Sequence, residues 1–211
     1  MRNVLIANPK GGSGKSTIAT NLAAYFATRG KHVVLSDMDR QRSSLQWLAR
    51  RPENLPLIHG LNGRGKHSDS LSADWTIIDS GAGLHGDKLS EAVKVADWVI
   101  VPIQPSAFDI GASAEFLQIL REEKAVRKER TFVAVVGMRI DSRTRSASKL
   151  QAYLDESGFP IMGSLRNAQV YAHAAEQGLS IFDMRPSQVS RELQQWAPLL
   201  HWIVNADNHT K

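Results

Sequence analysis

Residues 8–17 read Asn8-Pro9-Lys10-Gly11-Gly12-Ser13-Gly14-Lys15-Ser16-Thr17. They lie between the apolar run Val4-Leu5-Ile6-Ala7 and a helical pattern from Ile18 to Thr28. A strand, a glycine-rich turn and a helix start, in that order, constrain a chain to an α/β layout with an anion site at the turn. Glycines let backbone N–H groups curl around a polyphosphate with no Cβ in the way. Lys15 can then reach the β- and γ-phosphates, and the Ser16 hydroxyl can ligate Mg²⁺. The helix that follows adds the positive end of its dipole.

Further strand-like runs recur with helical patterns between them. His32-Val33-Val34-Leu35-Ser36 ends at Asp37, Trp75-Thr76-Ile77-Ile78 ends at Asp79, and Trp98-Val99-Ile100-Val101 meets Pro102. Thr131 to Val136 is β-branched and apolar throughout, and Leu57-Ile58-His59 and Pro160-Ile161-Met162 are shorter strand candidates. Helical patterns occupy residues 43–50, 89–96, 110–123, 146–156, 170–177 and 187–203. Residues 60–72, rich in glycine, serine and charge, read as a loop or a poorly ordered segment. Alternation of this kind, with strands apolar on both faces, predicts an α/β fold: a mostly parallel twisted sheet flanked by helices. Ligands of such sheets sit at the carboxyl ends of the strands, the edge that would carry Asp37, Asp79 and the loop at 8–15.

The 211 residues suit a single domain over residues 1–204, with 205–211 as a frayed tail. There is no cysteine, which excludes disulfides and thiolate metal sites. The first strand begins at Arg2 and leaves no room for a signal peptide, and no apolar run approaches the length of a membrane span. A cytoplasmic protein is the expectation. The formal net charge is +5. Between Arg121 and Lys149, nine basic residues face four acidic ones, which makes a polyanionic partner plausible.

The strict pattern G-x-x-x-x-G-K-[ST] fails at its first position, which is Pro9, and a second lysine, Lys10, precedes the double glycine. That arrangement resembles the deviant Walker A motif, K-G-G-x-x-K-[ST], of the ParA/MinD family of P-loop ATPases. The resemblance implies ATP and Mg²⁺ as cofactors, with Lys10, Gly11, Gly12, Ser13, Gly14, Lys15, Ser16 and Thr17 at the nucleotide. It also implies an ATP-dependent homodimer in which Lys10 reaches the partner's phosphates. Ile77-Ile78-Asp79-Ser80-Gly81-Ala82 resembles a Walker B element, and Asp37-Met38-Asp39-Arg40-Gln41 resembles the family's D-x-D-P-Q motif. Ser16, Asp37 and Asp79 are then expected around the metal, and Lys10, Lys15 and Asp39 in catalysis, with Asp39 positioning the attacking water. Arg40 and Gly81 stand where the family usually has proline, departures that loosen the turns without removing a ligand. An aspartate that ends a strand is, taken alone, more often a turn or capping residue.

Pro102-Ile103-Gln104-Pro105-Ser106-Ala107-Phe108-Asp109 resembles the P-x-x-P-S-x-x-D segment of small ParA proteins, although Ser106 and Asp109 also suit a helix cap. Leu165 to Tyr171 resembles the segment near the adenine pocket. The absence of cysteine excludes the ligated cluster of the nitrogenase iron protein, a relative with a similar loop. With the motif starting at residue 8 there is no N-terminal helix-turn-helix. The resemblance therefore implies the small class, which binds nucleoid DNA without sequence choice and positions a plasmid, chromosome or protein cargo with a ParB-like or cargo-adaptor partner that stimulates hydrolysis. Arg139, Arg143, Arg145, Lys149 and Arg166 are the candidate DNA contacts, each of which also reads as an ordinary solvated charge. Two alternatives stand beside this reading. One is a MinD-like membrane-associating ATPase, whose terminal helix would use Leu193, Trp196, Leu199, Leu200 and Ile203; with so few cations nearby, core packing is favoured for that face. The other is a metabolic ATP-dependent enzyme on the same fold, such as a dethiobiotin synthetase-like ligase. A tyrosine autokinase is disfavoured because Tyr25, Tyr153 and Tyr171 form no tyrosine-rich tail.

Overall fold

Strands built from Val, Ile, Leu and Trp that lose water on both faces need helices on both sides, and the computed structural model has that arrangement. It describes residues 1–63, 72–141 and 143–205. Seven strands run β1 (Arg2–Ile6), β2 (Val33–Asp37), β3 (Ile58–Asn62), β4 (Trp75–Asp79), β5 (Trp98–Ile103), β6 (Phe132–Ile140) and β7 (Ile161–Arg166). Their order across the sheet is β3-β2-β4-β1-β5-β6-β7, and every pairing is parallel. The helices are α1 (Lys15–Ala27), α2 (Ser43–Ala49), α3 (Gly86–Val95), α4 (Ala107–Glu122), α5 (Lys124–Arg127), α6 (Arg145–Glu156), α7 (Gln169–Glu176) and α8 (Pro186–Asn205), with a 3₁₀ turn at Ile181–Asp183.

Alternation along the strands divides the core in two. Val4, Ile6, Leu35 and Ile77 face one layer with Ile18 and Leu22 of α1, Trp47 of α2 and Trp196 of α8. Leu5, Val99, Val101 and Val135 face the other with Leu89 of α3, Leu120 of α4 and Leu150 of α6. On α8, Trp196, Leu199, Leu200 and Ile203 are buried in the first layer and Leu193 packs against it. The apolar face weighed as a lipid anchor is therefore core. No helix among the described residues is long and apolar enough to cross a membrane.

Several boundaries differ from the sequence reading. Strand β5 continues through Pro102 to Ile103 rather than stopping, because its pairing with β6 runs on to Ile103 while β1 pairs no further than Ile100 and asks no N–H of Pro102. Gly60 to Asn62, assigned to a loop, form the outer half of edge strand β3 against β2. The rest of that expected loop, 64–71, lies outside the described residues. Strand β6 runs to Ile140, four residues past the expected end, with register irregularities against β7. Helix α8 begins at Pro186 with non-helical backbone at Val189 and reaches Asn205. Residues 206–211, most of the expected tail, are outside the described range.

Candidate nucleotide and phosphate site

Strands β1, β2 and β4 end side by side: Ile6 is level with Asp79, and Asp79 with Asp37. The chain leaving β1 forms the 8–14 loop before α1 starts at Lys15. Gly14 has φ of +104°, and a Cβ there would lie 2.6 Å from Met138 Cε, so the loop admits only glycine without strain. Gly11 and Gly12 are exposed, with nothing within 4 Å of a would-be Cβ, which leaves their backbone open on the rim. Ser13 is buried with an unpartnered hydroxyl. Ser16 and Thr17 open α1, half-buried.

Lys15 is 6 % exposed and its Nζ donates to the Lys10 carbonyl at 2.8 Å. Burial pulls its pKa down, while the charges of Asp79 and Asp39 push it back up. The loop is held by Asn8, a residue that the sequence reading had not singled out. Its side-chain amide donates to Pro102 O and to Ser113 Oγ at 3.1 Å, and its Oδ1 accepts the Lys10 N–H at 2.8 Å. Gln104 Nε2 donates to Gly12 O from the far side, tying the Pro102–Pro105 segment to the loop. In that segment Ser106 caps α4, its hydroxyl accepting the Asp109 N–H at 3.1 Å, so the pair acts as a cap.

Asp79 is the electrostatic centre of the site. It is 1 % exposed, and neither carboxylate oxygen makes a hydrogen bond. Burial pushes its pKa up to about 6, with the Asp37 charge adding to the rise; the nearby Ser16 and Ser44 hydroxyls and the Lys15 charge oppose it without completing a bond. A buried carboxylate with no hydrogen-bond partner beside a lysine and a serine hydroxyl fits a divalent cation.

Asp37, also expected around the metal, differs from Asp79 in having both carboxylate oxygens engaged. Its Oδ2 accepts from Ser44 N at 3.0 Å, Ser44 Oγ at 2.7 Å and Leu45 N at 3.1 Å, and its Oδ1 accepts from Asp39 N at 2.9 Å. Those donors include the first free N–H groups of α2, so this carboxylate works as that helix's cap. Asp39 is half-buried; its Oδ1 accepts from Gln41 N and its Oδ2 from Ala82 N at 3.2 Å. Gly83 N in turn donates to Pro9 O at 3.2 Å. The loops after β1, β2 and β4 are thus linked, through the Asp39 carboxylate and the Gly83–Pro9 backbone bond.

Beside the 8–14 loop a cavity of about 200 Å³ is lined by Gly14, Thr17, Met138, Arg166, Asn167 and Tyr171, among others. This brings the Leu165–Tyr171 segment beside the 8–14 loop. Tyr171 accepts from Trp196 Nε1 at 3.0 Å, and burial pushes its pKa up to about 12.

The basic run at 121–149 is divided by β6. Arg121 is exposed but tied down, donating to Ser157 O, and Lys124 to Arg130 precede the strand at the opposite edge of the sheet. Arg139, Arg143, Arg145 and Lys149 are exposed at or after its carboxyl end. Two candidates are already paired: Arg143 with Asp141 at 2.9 Å and Arg166 with the buried Glu192 at 2.5 Å.

The sequence matches the family described as the CobQ/CobB/MinD/ParA nucleotide binding domain over residues 4–181. It is 30% identical over 196 residues to the maintenance of carboxysome distribution protein A of Gloeobacter kilaueensis, covering 87% of this chain and 85% of that one. It is 29% identical over 190 residues to the chromosome-partitioning ATPase Soj of Thermus thermophilus, covering 73% and 76%. The fold is similar to that of the septum site-determining protein MinD from Pyrococcus horikoshii in complex with Mg-ADP, with a TM-score of 0.74, 16% identity and coverage of 97% and 96%.

Proposed function

Because the chain belongs to the CobQ/CobB/MinD/ParA family of nucleotide-binding domains, we propose that it works as a ParA-like positioning ATPase. It is a P-loop ATPase whose cofactors are ATP and Mg²⁺. In the proposed cycle ATP joins two copies, the dimer binds nucleoid DNA without sequence choice, and an adaptor on a plasmid, chromosome or protein cargo stimulates hydrolysis and release. The protein is then cytoplasmic and nucleoid-associated.

The observation that carries the reading is the buried, unpartnered Asp79 carboxylate set beside Lys15 and linked through Ala82 to Asp39. Asp79 and the Ser16 hydroxyl are the residues that would hold Mg²⁺, which when bound neutralises phosphate charge. Lys15, held over the loop, would meet the β- and γ-phosphates. Its contact with the Lys10 carbonyl is given up or shared when it does so. Lys10 sits on the half-exposed rim ahead of the glycines, where it can serve a facing subunit. Asp39 accepts two backbone N–H groups and retains lone pairs to orient a water. The membrane alternative loses its anchor, since the apolar face of α8 is spent on the core.

Asp39→Ala tests the assignment. ATP binding and dimerisation should persist while turnover falls at least about a hundredfold, the usual scale for a lost general acid–base group. Turnover within a few-fold of wild type would remove Asp39 from the chemistry.

A further inference from the structure

On the outer side of the nucleotide cavity lies a second, larger one of about 600 Å³, which includes Arg139, Arg143, Arg166, Arg191, Asn167 and Gln195 in its wall. Arg191, on α8, lies forty residues beyond the basic run that drew attention in the sequence, and it joins that run only through the fold. We infer that this arginine cavity is where backbone phosphates of duplex DNA seat, with Arg191 as one of its contacts. The inference rests on the DNA-binding reading above and locates that surface.

The four arginines divide into two kinds. Asp141 holds the Arg143 guanidinium through both Nε and Nη2, at 3.0 and 2.9 Å. Glu192, 2 % exposed, holds Arg166 through Nε, while the Arg166 side chain stays 38 % exposed. These pairs fix two guanidinium groups in place without covering them. Arg139 and Arg191 are exposed and have no acidic partner among the described residues, so they supply the uncompensated charge.

The backbone around Arg139 is also unusual. This residue has φ of +53°, in the left-handed region, within the register irregularity of β6 against β7. Bulges of that kind re-aim a side chain, and left-handed non-glycine residues cluster at functional sites. The rest of the wall is polar apart from Ile140. A peptide partner would want an aromatic or aliphatic anchor there, whereas phosphate recognition uses arginine with amide and hydroxyl donors. Arg139, Arg166 and Asn167 line both cavities, so the nucleotide and the DNA share a wall.

The test is fluorescence anisotropy of the ATP-bound protein with two unrelated duplexes over a salt series. Arg191→Ala should weaken both duplexes equally and reduce the slope of log affinity against log salt by about 1 for each engaged protomer. Lys128→Ala, exposed ahead of β6 and away from the cavity, should leave the slope unchanged, and Arg191→Lys should restore most of it. ATP-driven dimerisation of Arg191→Ala, followed by size exclusion, should match wild type and so separate lost contact from lost folding. A wild-type slope in Arg191→Ala would overturn the inference, and a reduced one in Arg145→Ala beside it would move the surface to α6. Wild-type protein that ignores both duplexes at low salt would overturn the DNA-binding reading itself. Arg191-dependent binding of poly-glutamate without duplex binding would make the occupant an acidic peptide, against the inference.

Discussion

Replacing Asp79 by asparagine keeps the shape of the side chain and removes a buried charge, and its effect on folding has a computable sign. The carboxyl has a pKa of about 6 in the folded chain against 3.8 as its ordinary value, because burial disfavours the anion. Between those values the folded state holds a proton that the unfolded state has lost. Ionised Asp79 therefore weighs against folding, and the weight is absent in strong acid, grows as pH rises, and is fully present above about pH 6. At roughly 1.4 kcal/mol per pK unit the full burden is about 3 kcal/mol, of which about 1 is already present at pH 4.5. Asp79→Asn should therefore gain about 2 kcal/mol on wild type between pH 4.5 and 7.5, whatever the fixed cost of packing an amide. The other carboxylates are common to both proteins and cancel. Urea unfolding of the two proteins at both pH values, with chelator and without nucleotide, measures the difference directly. A stability difference that stays flat across that range would show that Asp79 is not a buried, uncompensated carboxylate. Mg²⁺ binding should fail in the variant at every pH, and in wild type it should weaken as pH falls through about 6.

Four substitutions test the loop around it. Gly14→Ala forces a left-handed alanine against Met138, and thermal melts should show about 1–3 kcal/mol of destabilisation, only partly relieved by adding Met138→Ala. Asn8→Ala strands the Pro102 carbonyl, Ser113 Oγ and the Lys10 N–H, and should cost about 2–3 kcal/mol in urea unfolding. Lys15→Ala should abolish nucleotide binding by equilibrium titration. Lys10→Ala should retain nucleotide binding yet lose the ATP dimer on size exclusion, and equal dimerisation by this variant and wild type would end the role assigned to Lys10.

What could be read from the sequence was whatever local chemistry specifies. The 8–17 loop, the strands ending at Asp37 and Asp79 and the parallel sheet follow from glycine spacing and apolar runs, and each stands where it was expected. Features that depend on partners distant in sequence could not be read. Pro102 signals a strand end until β6 pairs alongside it as far as Ile103. Glu192 looks like a surface residue of an amphipathic helix until Arg166 pairs with it, and Arg191 has no visible connection to Arg139 until α8 packs over β7. The capping bonds of Asp37 were hidden for the same reason, since its main donors, Ser44 and Leu45, come from the next helix.

The two missing prolines show how a motif can depart from its family pattern and keep its geometry. Proline at 40 or 81 would stiffen its turn by fixing φ. Here the stiffness comes from side chains bonding their own backbone two residues on: Asp37 accepts from Asp39 N, and Asp39 from Gln41 N. Asn8 and Asp141 make the same turn with Lys10 and Arg143, so the exits of β1, β2 and β6 are all held in this way. Gly81 has a further reason to be small. A Cβ there would stand 3.2 Å from Met38 O and 3.4 Å from Asp39 Cα, inside the contact that lets Ala82 reach Asp39. These turns are therefore tight, where loss of proline alone had suggested loosening. Gly81→Ala should push the β4 exit away from the β2 exit and slow ATP turnover while leaving nucleotide affinity near wild type, because the phosphate loop lies on the other strand. Unchanged turnover at saturating ATP in Gly81→Ala would show that the Ala82–Asp39 contact plays no part in placing the water.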